Sequence, residues 1–289
     1  MQTFPTANGL RAHLDRLPEA SSIAYVPTMG ALHEGHMALV AAARKTHDVV
    51  VASIFVNPTQ FNESADLEAD PRTPETDAAM MEAQSCDALY LPSEADVYPE
   101  GLTDPTADLD FGPLVQVMEG ANRPGHFDGV AQVVYRLLDI VRPHTLFLGQ
   151  KDYQQVAVVR SMIKQLKVPV AVEVVPTVRE ESGLALSSRN RLLDDTHRAA
   201  ANKINLHLRA VAAGLIAGWA PRSLETTALH ELQRHPLLEP EYVSLFDGDT
   251  LQPWHEGEPA REIVVATAVR CGPVRLIDNL IVRTTLANP

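Results

Sequence analysis

The densest chemistry in the sequence is Pro27-Thr28-Met29-Gly30-Ala31-Leu32-His33-Glu34-Gly35-His36. It joins an apolar run, Ser22–Val26, to a helical pattern over 36–45. A helix start presents unpaired N–H groups and a partial positive charge, which suits a phosphate. Gly30 and Gly35 allow close backbone approach. No Lys-Ser/Thr follows the second glycine, so this is not a Walker A loop, and GxGxxG is also absent. The side chains left to meet phosphate are two imidazoles. A helix N-terminus disfavours their protonation, so His33 and His36 are expected to act as neutral donors. A metal pair and two idle surface histidines remain as alternative readings, although HEGH is not HExxH and no third ligand follows at a recognisable spacing.

Three further segments are suited to the same ligand class. Gly149-Gln150-Lys151-Asp152 also sits at a strand-to-helix junction. Lys151 can neutralise a phosphate as a point charge. Asp152-x-x-Gln155 equally matches a capping box, and the two roles can coexist. Leu186-Ser187-Ser188-Arg189-Asn190-Arg191 offers hydroxyl and guanidinium groups suited to a triphosphate. In Asn57-Pro58-Thr59-Gln60, two uncharged amides can recognise a hydroxy acid. The competing reading there is an ordinary Asn-Pro turn.

These segments need a scaffold, and the hydrophobic pattern outlines one. Strands are expected at Ser22–Val26 (ended by Pro27), Val49–Val56, Ala88–Leu91, Thr145–Leu148 and Val170–Val175. Helices fall between them at 36–45, 74–84 and 153–166, and in the amphipathic series Val130, Val133, Val134, Leu137, Leu138, Val141. This alternation predicts an α/β, Rossmann-like parallel sheet. With the strand order 3-2-1-4-5, the first and fourth strands meet at the switch point, where ligands bind. The stretch 92–128 reads mostly as loop, with a helical turn near Leu114–Met118. After residue 176 the pattern becomes long helices (195–217, 222–234) and strands Tyr242–Phe246, Ile263–Val269 and Val274–Val282, a smaller α+β domain. The expected division is 1–183 and 184–289.

The 289 residues are 45% hydrophobic and 21% charged, enough for packed cores. Lys and Arg number 24 against 37 Asp and Glu, a net charge of −13, which repels nucleic acid generally but does not forbid one cationic pocket. Cys86 and Cys271 form no CxxC, so neither zinc nor a disulfide framework is expected. No apolar run approaches the ~18 residues of a membrane span, and Met1–Leu14 lacks a signal-type core. A soluble, cytoplasmic protein without membrane or nucleic-acid partners is expected.

Taken together, PTMGALHEGH, SIFVNPTQF, RPGHFDGV (123–130), GQKDYQQ and LSSRN resemble the pantothenate synthetase (pantoate–β-alanine ligase) family of the HxGH nucleotidyltransferase superfamily. The resemblance spans most of 20–195 and implies a two-step reaction. ATP and pantoate, with Mg²⁺, form pantoyl adenylate and pyrophosphate; β-alanine then gives pantothenate and AMP. It implies an ATP site along Met29, Gly30, Ala31, Leu32, His33, Glu34, Gly35 and His36, with Gly149, Gln150, Lys151, Asp152, Val178, Leu186, Ser187, Ser188 and Arg189. His36 would be the proton donor, assisted by His33, Lys151 and Arg189. Gln60 would contact pantoate and then β-alanine, with Gln155, and Asn57 nearby, on pantoate. A homodimer joined through N-terminal domains is implied. Gln150 stands where the family often has Glu, and Asp70 where it often has Tyr. Asp77 reads as a helix-surface carboxylate, with a metal contact as the alternative. Other adenylyltransferases, a non-catalytic nucleotide binder and a class I aminoacyl-tRNA synthetase compete; the last lacks a recognisable tRNA-binding appendage.

Overall fold

The computed structural model describes residues 1–60, 72–100 and 102–283. Phe61 and Asp70 lie outside them. The chain divides into two compact units. The first comprises Met1–Phe111, Gly120–Gln150 and Val158–Pro176; the second comprises Gly112–Glu119, Lys151–Ala157 and Thr177–Pro289. Two short stretches of the first two thirds therefore group with the C-terminal residues.

In chain order the elements are β1 (Gln2–Phe4), α1 (Ala7–Leu14), β2 (Ile23–Thr28), α2 (Glu34–Thr46), β3 (Val49–Ile54), α3 (Pro74–Ala83), β4 (Ala88–Tyr90), α4 (Glu94–Val97), α5 (Met118–Asn122), α6 (His126–Val141), β5 (Thr145–Gly149), α7 (Tyr153–Leu166) and β6 (Ala171–Val175). Then come α8 (Asp195–Ile216), α9 (Pro221–Gln233), β7 (Leu238–Asp247), β8 (Glu262–Cys271) and β9 (Val274–Arg283).

The first sheet is parallel, in the order β1-β4-β3-β2-β5-β6. The expected order of the five long-range strands holds, and β1, unread in the sequence, adds an edge. The strands are near-continuous apolar runs because both faces are covered. On one face Leu32, Met37, Val40 and Ala43 of the α2 region pack with Ala24, Val26, Val50 and Ala52. The amphipathic stripe of α6 is buried at every expected position, from Val130 to Val141. Fully burying such a side chain contributes about 1.5–3 kcal/mol.

Pro27 does not end β2, which runs to Thr28. The Ser22 and Thr28 carbonyls accept from Val49 and Phe55 on β3's side, whereas the Ile23 carbonyl accepts from His144 on β5's side. Alternation puts Pro27 with Ile23, facing β5. Pairing with β5 stops at Tyr25↔Leu146, so no ladder bond needs the missing N–H. The stretch 92–128 is also more structured than a loop: it contains α4, a 3₁₀ turn at Gly112–Val115 and α5.

The second unit packs α8 and α9 on the antiparallel sheet β7-β8-β9. Ile204, Leu208 and Val211 form the helical stripe against Val265, Val269 and Leu276. The segment 112–119 joins this unit through Gln154, which is 2% exposed. Its amide donates to the Leu114 and Val117 carbonyls at 2.7 and 2.8 Å, and its oxygen accepts from Glu119 N at 2.9 Å. Arg275 of β9 pairs with both Glu119 and Glu241.

His47 closes α2 and turns an edge to Phe147, with Nε2 2.9 Å from the Thr145 hydroxyl. Desolvation lowers its pKa below the usual histidine value, outweighing the hydrogen bond with the Ala43 backbone that raises it. The unfolded chain then binds the extra proton more readily, so His47 contributes stability that is lost as pH falls below about 6.5. Urea unfolding at pH 7.5 and 5.5 should show a smaller pH difference for His47→Asn than for the parent; equal differences would remove His47 as a source.

Candidate functional site

In the first unit the polar segments begin at the carboxyl ends of β2 and β5, neighbouring strands where the sheet order reverses. His33 is the N-cap of α2. Its Nδ1 accepts from Gly35 N at 3.1 Å, and His36 Nδ1 accepts from His33 N at 3.3 Å. The result is a capping box made of two imidazoles, the rings 4.2 Å apart and tilted 44°. A nitrogen that accepts carries no proton, so each neutral ring bears its hydrogen on Nε2. The cap thus fixes the same tautomer for both rings at the helix start.

The preceding loop is held from a distance. Gly30 (φ 97°) and Ala31 (φ 49°) both have left-handed backbone. Asp77, in the first turns of α3, is 1% exposed. Its carboxylate accepts from Ala31 N at 2.9 Å, Leu32 N at 2.8 Å and the Thr73 hydroxyl at 3.1 Å. A Cβ on Gly30 would lie 3.2 Å from both Asp77 Oδ2 and Ile54 Cγ2, so glycine answers the crowding as well as the positive φ. Asp77 is therefore neither a surface carboxylate nor part of a metal cluster among the described residues. It is the clasp of the histidine loop, and its distance of 46 residues from Ala31 left no local spacing to read.

Gln60 and Asn57 follow β3. Gln60 is 8% exposed, with its amide against the Met29 sulfur. Asn57 is 1% exposed, and its side chain is engaged by the protein. It donates to Thr59 Oγ1 (2.9 Å) and the Gly129 carbonyl (3.1 Å), and accepts from the Tyr98 hydroxyl (3.1 Å). Within this unit the structure brings together Met29–His36, Gln60 and Asn57; Gly149 ends the adjacent strand and Gln150 follows it in a 3₁₀ turn.

Lys151, Asp152, Gln155, Val178, Leu186, Ser187, Ser188 and Arg189 belong to the second unit. Lys151 Nζ lies 3.5 Å from Asp152 Oδ1. Two adjacent residues of β9, Asp278 (5% exposed) and Asn279 (2% exposed), brace this group. Asn279 Nδ2 donates to the Lys151 carbonyl at 2.9 Å. Asp278 takes both arms of Arg179 at 2.7 and 2.9 Å, and Arg179 also donates to the Gly183 carbonyl at 3.1 Å. Leu186 N donates to the Val178 carbonyl at 3.0 Å, closing Val178–Leu186 into a hairpin. Ser187 then caps the Ser188–Leu192 turn, accepting from Arg189 N at 3.3 Å. Arg189 itself is exposed. None of these β9 contacts had a motif to announce it; they follow from sheet register alone.

A parallel α/β sheet with a polar, helix-capping histidine pair at its switch point, accompanied by an α+β unit, has the architecture of a small-molecule α/β enzyme. Residues 2–281 match the sequence model of the pantoate-beta-alanine ligase family. A pantothenate synthetase of Thioalkalivibrio sulfidiphilus is 46% identical over 282 residues, 97% of each chain. The crystal structure of pantothenate synthetase from Thermus thermophilus superposes with a TM-score of 0.89 at 41% identity, over 98% of this chain and all of that one. That of the Francisella tularensis pantoate-beta-alanine ligase, complexed with beta-gamma ATP and beta-alanine, gives 0.80 at 34%, covering 97% of each. The chain belongs to the pantoate–β-alanine ligase family, and it is a ligase.

Asp77→Asn keeps the side-chain shape but turns one acceptor into an NH₂ facing a buried backbone N–H. Urea denaturation should show a loss of about 1–3 kcal/mol; parental stability would show that Ala31 and Leu32 do not depend on the carboxylate.

Proposed function

We propose that the protein condenses (R)-pantoate with β-alanine at the expense of ATP, giving pantothenate, AMP and pyrophosphate through pantoyl adenylate. The observation that carries this reading is the reciprocal imidazole cap, which presents two neutral N–H donors where a phosphate chain is favoured by the start of α2. The ATP and β-alanine bound by the Francisella relative support the substrate class.

Pantoate's carboxylate is ionised at neutral pH, so the first step needs no base. Its oxygen attacks the α-phosphorus in line, the bond to the bridging oxygen breaks, and pyrophosphate leaves with the electron pair. What the protein must supply is alignment and charge neutralisation. His36 donates to the phosphate oxygens as charge shifts toward the leaving group, with His33 beside it. Lys151 and Arg189 bring positive charge, and Ser187 and Ser188 bring hydroxyl donors. Met29–His36, Gly149–Asp152, Val178 and Leu186–Arg189 make up the ATP-binding set. Gln60 orients pantoate and then β-alanine, Gln155 contacts pantoate, and Asn57 supports the pantoate side. In the second step the β-alanine amine, having lost a proton, attacks the acyl carbon; AMP departs and a further proton leaves the new amide nitrogen.

Mg²⁺ fits as a companion of the nucleotide. The described residues contain no group of three or more metal-ligating side chains, so phosphate oxygens and water would supply most of its ligands. The working form is a cytoplasmic homodimer joined through N-terminal domains, as the family resemblance implies. The described residues include no helix long and apolar enough to cross a membrane.

With pantoate, ATP and Mg²⁺ alone, one equivalent of pyrophosphate per site should form, and AMP should accumulate only when β-alanine is added. No pyrophosphate before β-alanine would discard the adenylate. His36→Ala should lower kcat on the order of 10²-fold with the fold intact by circular dichroism. Lys151→Ala should be comparably harmful. Parental turnover in either would remove that side chain from the chemistry.

A further inference from the structure

The segment Arg123–Val130 carries no role in the reaction just described, yet its first helical turn lies against the residue assigned to the acid and amine substrates. We infer that His126 and Gly129 form the seat that fixes the backbone of Gln60, making His126 a positioning residue for pantoate and β-alanine. The inference rests on the reading of Gln60 given above.

Three observations converge on the Pro58–Gln60 turn. His126, 7% exposed, has Nδ1 2.7 Å from the Gln60 carbonyl oxygen and Nε2 3.2 Å from Arg123 Nη1. A guanidinium only donates, so Nε2 is the acceptor and Nδ1 carries the proton given to Gln60. Arg123 thereby selects the tautomer that holds the carbonyl. One turn along α6, Gly129 faces the same backbone: a Cβ there would sit 2.5 Å from the Thr59 carbonyl oxygen and 2.9 Å from Gln60 N. Alanine is the better helix former, so glycine at this helical position is explained by the close approach. Asn57 closes the frame by donating to the Gly129 carbonyl at 3.1 Å.

A glutamine side chain has three rotatable bonds, so its reach is only as well defined as the backbone that carries it. A 1 Å displacement of a substrate-positioning group costs up to about 10²-fold. The seat holds the turn at its carbonyl, at its amide side and through Asn57, while the Gln60 amide side chain points to Met29. These contacts all lie in the first unit.

Steady-state kinetics on the full-length enzyme test this. Gly129→Ala and His126→Phe should each raise KM for pantoate and β-alanine by about tenfold while ATP KM stays within about twofold. His126→Asn, whose amide N–H stands where Nδ1–H was, should restore most of the affinity. Gln60→Ala separates the two readings. If it raises pantoate KM but His126→Phe and Gly129→Ala do not, the seat is overturned and the role of Gln60 stands. If it leaves pantoate KM unchanged, the role of Gln60 falls and the seat falls with it. Equal rises in all three KM values with a lowered Tm, and no advantage of Asn over Phe, would reduce the contact to packing and overturn the inference. Should Gly129→Ala fail to fold, the Phe and Asn variants of His126 decide.

Discussion

The first turn of α2 must have its amide groups satisfied, and in the proposed reaction the same side chains must also keep a donor for phosphate. Two histidines meet both demands, because an imidazole has two chemically distinct nitrogens. Nδ1 of each ring is used inward, on the helix, and Nε2 is the donor. An aspartate cap would satisfy the helix but offer no donor, a serine would have to accept and donate through one oxygen, and a lysine would offer a donor but no acceptor. The short spacing from His33 to His36 is therefore a consequence of helix geometry, whatever chemistry the pair performs.

The same division of labour runs through both units. Strained or polar loops carry the groups assigned to the ligands in the proposed function, and buried polar residues from other elements hold the loops. Asp77 clasps Gly30–Leu32, Asn57 frames the turn after β3, and Asp278 and Asn279 brace the Val178–Leu186 hairpin and the Lys151 carbonyl. These braces are nearly inaccessible to solvent, so each bond is made at low dielectric and each lost partner is costly. A net charge of −13 does not forbid locally positive segments, because placement rather than total charge sets the local field.

Adjacent, chemically equal residues divide the same way. Gln154 is enclosed and spends its amide on the 112–119 segment, whereas Gln155, one residue on, is only half-buried. Helical rotation of about 100° per residue decides which of the pair is structural.

Local pattern was enough for much of this protein. Apolar runs bounded by turn residues gave the parallel strands, the 3.6-residue stripe gave α6 and α8, and glycine, histidine, lysine and Ser-Arg clusters at strand-to-helix junctions marked the polar segments, since each of these signals acts over a few residues. The edge strand β1, the passage of β2 through Pro27 and the short helices within 92–128 were not legible: a three-residue strand has no period, and a proline's cost depends on whether a neighbouring strand needs its N–H. Nor was the bracing. Asp77, Tyr98, His126, Asp278 and Asn279 look like ordinary polar residues in the chain, and their partners lie tens of residues away. A hydrogen bond needs two groups within about 3 Å, and only the packed tertiary structure brings them there.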